Sequence, residues 1–132
     1  QRALSEGNTL QDILTANFRV GRTGNDILAR SRAQAIDRGL TPIIYTHPIG
    51  LHGHAAGTTI GMWDKQDGVP GSGDYAMQPN TAYSIELTAE VSLPEWGDDP
   101  LKMKLEQNGF FDGETFRYIQ PRQTQYHLVS SD

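Results

Sequence analysis

Between Thr81 and Ser92 apolar and polar residues alternate without a break: Tyr83, Ile85, Leu87, Ala89 and Val91 against Ser84, Glu86, Thr88, Glu90 and Ser92. Successive side chains of an extended strand point to opposite faces, so this pattern predicts one long strand with an apolar and a polar face. A slip of one residue would turn the whole apolar set outward, which restricts how any partner strand can pair with it. Lys102 to Glu106 repeats the alternation, with Met103 and Leu105 on one side and Lys102, Lys104 and Glu106 on the other. Asp112-Gly113 is a hairpin-turn signal ahead of a strand from Thr115 to Ile119, and Gln125 to Val129 reads as a last strand.

The first third reads as helix. Leu10, Ile13, Leu14 and Phe18 recur at helical spacing after Thr9. A second helix starts near Thr23 or Asn25 as N-cap, carries Ile27, Leu28, Ala35 and Ile36 as a narrow stripe interrupted by Ser31, and stops at Gly39. Pro42 opens a strand over Ile43 to His47, and the glycine-rich stretch from Gly50 to Gly73 reads as a long loop with a short strand from Ile60 to Trp63. The expectation is a single α+β domain over residues 1–132 without linker or repeat.

Composition excludes several classes. The 132 residues include no cysteine, so a metal site has to use nitrogen and oxygen ligands. With 11 Lys plus Arg against 16 Asp plus Glu, and no basic cluster, neither nucleic acid nor an anionic membrane is expected as a partner. No apolar stretch reaches bilayer-spanning length. The first residue is Gln, which suggests a processed or trimmed chain; absence of cysteine suits cytoplasm and periplasm equally.

Three of the four histidines lie in His47-Pro48-Ile49-Gly50-Leu51-His52-Gly53-His54, directly after the strand that Pro42 opens. Imidazole is the commonest metal ligand, and glycine-rich loops beside histidines are frequently functional. Glutamate is depleted in strands, so Glu86 and Glu106 have two readings: the solvated face of a sheet, or a cleft-lining face on which both converge with His47 on one cation. His52-Gly53-His54 also suggests a cupin, but Ala55-Ala56-Gly57-Thr58 follows where a glutamate is expected.

The histidine segment resembles that of the pita-bread metallopeptidases, the family of methionine aminopeptidase, aminopeptidase P and prolidase. There a metal-binding His precedes a second His by seven residues, matching His47 and His54. Tyr83-Ser84-Ile85-Glu86-Leu87 is similar to the family's next segment, whose Glu is a metal ligand, and Lys104-Leu105-Glu106-Gln107-Asn108 to the segment carrying a bridging Glu, followed by Asp112-Gly113. The chain departs from the family pattern at Pro48, Leu87, Lys104 and Gln107. The family's two Asp ligands lie on an upstream hairpin; Asp26 and Asp37 read instead as solvated helix residues.

The resemblance implies the C-terminal half of a pita-bread catalytic domain, with two N-terminal helices packed on a curved antiparallel sheet. It implies a metal-dependent aminopeptidase or dipeptidase, closest to the Xaa-Pro enzymes, that uses two divalent ions (Mn, Co, Zn or Fe). His47 and Glu86 would bind one ion, Glu106 would bridge both and shuttle a proton, and His54 would contact the substrate carbonyl. The implied partners are a peptide substrate and the preceding part of the same protein, with a homo-oligomer left open; by itself the chain would be inactive. His52 has no transferable role, and His127 reads as surface or packing. The other readings are a non-catalytic pita-bread binding module and an unrelated β-rich metal-binding protein.

Overall fold

The computed structural model describes residues 1–130 and opens with two helices. Helix α1 (Arg2–Ala16) begins well before Thr9 because Ala3, Leu4 and Gly7 continue the buried stripe of Leu10, Ile13 and Leu14 toward the N-terminus. Helix α2 (Gly24–Asp37) is capped as expected: the Thr23 side chain accepts a hydrogen bond from the Asp26 N–H at 3.1 Å. Ile27, Leu28, Ser31 and Ala35 form its buried face, whereas Ile36 is exposed.

Six strands follow: β1 (Thr41–Ile44), β2 (His47–Gly50), β3 (Gly53–His54), β4 (Thr81–Val91), β5 (Leu101–Phe111) and β6 (Phe116–Tyr118). They form one sheet in the order β3-β2-β4-β5-β6, with β1 also paired to β4, and every pairing is antiparallel. The period-two pattern is realised along β4, where Tyr83, Ile85, Leu87, Ala89 and Val91 are buried. Helix α1 lies against β4 and β5. Gly7 makes that approach close, since a Cβ there would meet Leu105 Cδ1 at 2.7 Å. Phe18, after α1, packs its ring 5.1 Å from Tyr83 and 5.8 Å from Phe111, closing one end of the core. Among the described residues no helix is long and apolar enough to cross a membrane.

The architecture corrects the expected fold. The chain is α+β with two N-terminal helices, but its sheet is open and is not the curved sheet of a half pita-bread domain. Only β4 and β5 are long; the other pairings span two to four residue pairs each, so the sheet extends sideways without wrapping on itself.

Three local expectations also change. The strand over Ile43 to His47 is broken at Tyr45 and Thr46 into β1 and β2, although both pieces hold the same register on β4. The Ile60 to Trp63 strand is reduced to isolated bridges, Thr46 to Ile60 and Met62 to Lys65. Both changes have one cause: the backbone of Thr46 turns out of the sheet to exchange two hydrogen bonds with Ile60, at 3.0 and 2.8 Å. Gly61 permits this approach, having φ 72° and standing where a Cβ would lie 2.1 Å from the Ile44 carbonyl oxygen. Gln125 to Val129 forms no strand; its side chains are exposed, and among the described residues β6 carries no strand on its outer edge.

Candidate metal centre

The sheet register gathers the residues of the histidine and glutamate segments. His47 opens β2 opposite Ser84 on β4; Glu86 lies two residues further along β4, on the same face. Glu106 is directly across from Glu86 on β5. The His47 Nε2 atom lies 3.4 Å from Glu86 Oε2. His54, brought back by the β2–β3 turn, stacks on His47 with ring centroids 3.8 Å apart and planes inclined by 14°. The rings border a cleft of about 320 Å³ whose walls include Tyr45, Trp63, Ser72 and Glu86.

Four hydroxyl and carbonyl contacts fix these groups. The His47 Nδ1 atom is 2.9 Å from the Pro48 carbonyl oxygen. A carbonyl can only accept, so Nδ1 carries the proton and Nε2 is the atom presented to Glu86. The buried Thr46 hydroxyl accepts from the Glu86 N–H at 3.1 Å and donates at 3.0 Å to the Glu86 carbonyl, which also accepts from the Tyr45 N–H at 3.1 Å. Ser84 Oγ donates to Glu106 Oε1 at 3.2 Å.

The electrostatics single out Glu86. Burial pushes its pKa above the ordinary carboxylate value, and the charge of Glu106 and hydrogen bonding with it push the same way, while His47 partly offsets them. Two carboxylates side by side with a ring nitrogen aimed at one of them form an arrangement that a positive charge relieves.

Two ligands on one tetrahedral ion, at the bond lengths of nitrogen and carboxylate sites, stand roughly 3.3–3.5 Å apart. His47 Nε2 and Glu86 Oε2, 3.4 Å apart, have that separation. The expected third ligand departs: Glu106 is exposed, and among the described residues no group of three His, Asp or Glu side chains is arranged to hold a metal ion. The residues thus fit two neighbouring places of a coordination sphere, with a further carboxylate at its edge.

The remaining histidines stand apart. His52 is exposed and bridges only to His54, and His127 is exposed in the C-terminal segment. Asp26 is a helix residue bound to Arg22 and Arg30, and Asp37 is exposed at the end of α2, as read from the sequence.

Sequence reasoning passed over Thr46, Ser84 and Tyr45. Ser84 was discoverable, being on the polar face of the alternating strand one step before Glu86. Thr46 gave no signal, because its role depends on the backbone turn toward Ile60. Tyr45 Oη lies 2.8 Å from Thr88 Oγ1, a contact that requires the β1–β4 register to be known. Trp63 is exposed and lines the cleft. No protein-family model matches the chain, and no curated protein matches it.

Proposed function

We propose that His47, Glu86 and Glu106 form this chain's share of a divalent-metal site in a metal-dependent aminopeptidase or dipeptidase of the Xaa-Pro type. The observation that carries the reading is the His47 to Glu86 contact, 3.4 Å between Nε2 and Oε2 with Nδ1 held by the Pro48 carbonyl. Metal-ligating histidines characteristically donate their other ring N–H to a carbonyl or carboxylate, which fixes tautomer and ring plane. The two-ion complement of Mn, Co, Zn or Fe requires further ligands, which the resemblance assigns to two Asp residues outside residues 1–132. A divalent ion there lowers the pKa of water and polarises a peptide carbonyl.

The chain's own groups supply the rest. Glu106, held by Ser84 and open to solvent, takes the proton released when water attacks and returns it to the leaving amine. His54, exposed on one side and stacked on His47 on the other, donates to the oxygen on which negative charge develops. Trp63 offers an apolar wall for the residue beyond the scissile bond, which suits a prolyl ring.

Hydrolysis of an Xaa-Pro peptide by the protein carrying this chain, with Mn or Co added, tests the reading. Activity reduced at least about a hundredfold by Glu106→Gln is the expected result, on the scale of a removed acid-base group. Equal activity of the variant and the wild type rejects the role of Glu106.

A second reading, a non-catalytic binding module, is favoured by one observation: no three-ligand group is assembled among the described residues. It predicts metal or peptide binding without turnover in the same assay.

A further inference from the structure

Trp63 is 75% exposed and lies in a stretch that, from Gly61 to Tyr75, has no helix or strand beyond the short turn Ser72–Asp74. An indole in such surroundings is ordinarily mobile. Here the backbone beneath it is held. Met62 and Lys65 exchange hydrogen bonds at 3.3 and 2.9 Å, so Trp63 and Asp64 form the tip of a tight turn beside the cleft.

Gln66 anchors the base of that turn to the sheet. The Tyr45 N–H donates to the Glu86 carbonyl, so the preceding residue, Ile44, turns its N–H and carbonyl to the edge of β1 away from β4. The Gln66 side chain takes the place of a further strand there: its Oε1 accepts from the Ile44 N–H at 3.0 Å and its Nε2 donates to the Ile44 carbonyl at 2.7 Å. Nε2 also donates to the Met62 carbonyl at 2.7 Å, and Oε1 also accepts from Arg32 Nη1 at 2.8 Å. Arg32 in turn donates to the Pro42 carbonyl at 2.9 Å. A carboxamide has two N–H donors and two lone pairs on its oxygen, and Gln66 uses all four. The edge of β1, the Trp63 turn and helix α2 thus meet on one amide.

Asn25 of α2 repeats the device further along the same stretch. Its Oδ1 accepts from the Val69 N–H at 2.7 Å, and its Nδ2 donates to the Val69 carbonyl at 3.2 Å and to Asp74 Oδ1 at 2.8 Å. Of the two amides, Gln66 is the one bonded to Met62, the residue directly before Trp63.

We propose that Gln66 is a positioning residue that holds Trp63 as a preformed wall for a ring carried by the ligand, so that the cleft takes the ring without closure of a loop. Ordering a mobile side chain on binding costs affinity, and the clamp meets that cost during folding. The proposal rests on the peptidase reading for the identity of the ring, a prolyl ring; the clamp itself involves neither metal nor peptide.

Two measurements test it on the ¹⁵N-labelled chain. Relaxation of the Trp63 indole N–H, assigned with Trp96→Phe, reports rigidity, and titration with Ala-Pro amide, Ala-Phe amide and Ala-Ala amide in the presence of Zn²⁺ reports ring preference. The wild-type indole is expected to have an order parameter of about 0.85, as in rigid backbone, and Gln66→Leu to lower it below about 0.6. The same variant weakens Ala-Pro amide about fivefold, the scale of ordering one side chain, and leaves Ala-Ala amide unchanged. Gln66→Glu, which keeps the Oε1 acceptor and loses both Nε2 donors, falls between, and carries the comparison where Gln66→Leu does not fold. Asn25→Ala leaves the indole rigid. Unshifted amides along β4 and β5 in the Gln66 variants separate release of Trp63 from general loosening. A mobile wild-type indole, an indole still rigid in both Gln66 variants, ring-bearing probes bound no better than Ala-Ala amide, or affinities unaffected by Gln66→Leu each overturn the proposal. Preference for Ala-Phe amide alone keeps the clamp and rejects the Xaa-Pro reading, whereas a prolyl preference that survives release of the indole rejects the clamp alone.

Discussion

Strands β4 and β5 have equal length and pair residue by residue, yet their polar faces live in different surroundings. On β4, Ser84 and Thr88 are buried and Glu86 and Glu90 half-buried; on β5, Lys102, Lys104, Glu106 and Asn108 are exposed. The difference comes from position in the sheet. β4 is flanked by β1 and β2, and the loop after β3 stands over Glu86, whereas the edge of β5 away from β4 meets the three residues of β6. The same residue type acquires different chemistry on the two strands: Glu86 is desolvated and resists ionisation, while Glu106 opposite it meets water.

The comparison breaks most visibly in the core. Leu87, fully buried at the centre of β4, is expected to cost about 2–5 kcal/mol on replacement by Ala. Leu105, opposite it on β5 and half-buried against Gly7, is expected to cost less. Equilibrium urea unfolding of the two variants measures both, and the reverse order would contradict the assignment of β4 as the protected strand. Next in size is Thr46→Val, which removes the hydroxyl serving both backbone groups of Glu86. A loss of about 1–3 kcal/mol is expected, with faster hydrogen exchange at the Glu86 amide.

These residues also mark what the sequence makes legible. The faces of β4 and β5, the Thr23 cap and the Asp112-Gly113 turn follow from local pattern, because alternation and side-chain capping are properties of neighbouring residues. The closeness of His47 and Glu86 was open in the sequence as one of two readings, the solvated face or the cleft-lining face, because it arises from pairing between segments 39 residues apart along the numbering. The interruption at Thr46 was not legible, because it depends on Ile60 and Gly61 in a distant loop. The curved sheet was inferred from the family as a whole. Side-chain alternation reports which face is apolar and carries little information on how far a sheet bends.

Acid-base behaviour sharpens the same contrast. Glu86 has a folded-state pKa raised above the ordinary value of 4.5. The stability associated with that shift is fully present below the unfolded value and is lost as pH rises through the higher folded value. Without metal, Glu86→Gln is therefore expected to raise Tm near neutral pH by a few degrees, with the advantage fading toward pH 4. A lowered Tm at neutral pH would show that His47 outweighs burial and Glu106.

The smallest effect belongs to Asp112, outside the site. Its carboxylate accepts hydrogen bonds from the N–H groups of Glu114 and Thr115 and from the Thr115 hydroxyl, which lowers its pKa to about 2. For this group the sign is opposite: stability is present above the ordinary value of 3.8 and is lost as pH falls toward 2. Asp112→Asn should shift the acid end of the Tm profile slightly and leave the neutral region nearly unchanged.

The central claim, that His47 and Glu86 hold two neighbouring places around one divalent ion, is tested most directly by paramagnetic broadening. Mn²⁺ titrated into the ¹⁵N- and ¹³C-labelled chain is expected to broaden the signals of His47 and Glu86 first and Glu106 next, leaving His127 sharp, and Glu86→Gln should abolish the effect. Broadening centred on another group of residues, or unchanged in Glu86→Gln, would contradict the account.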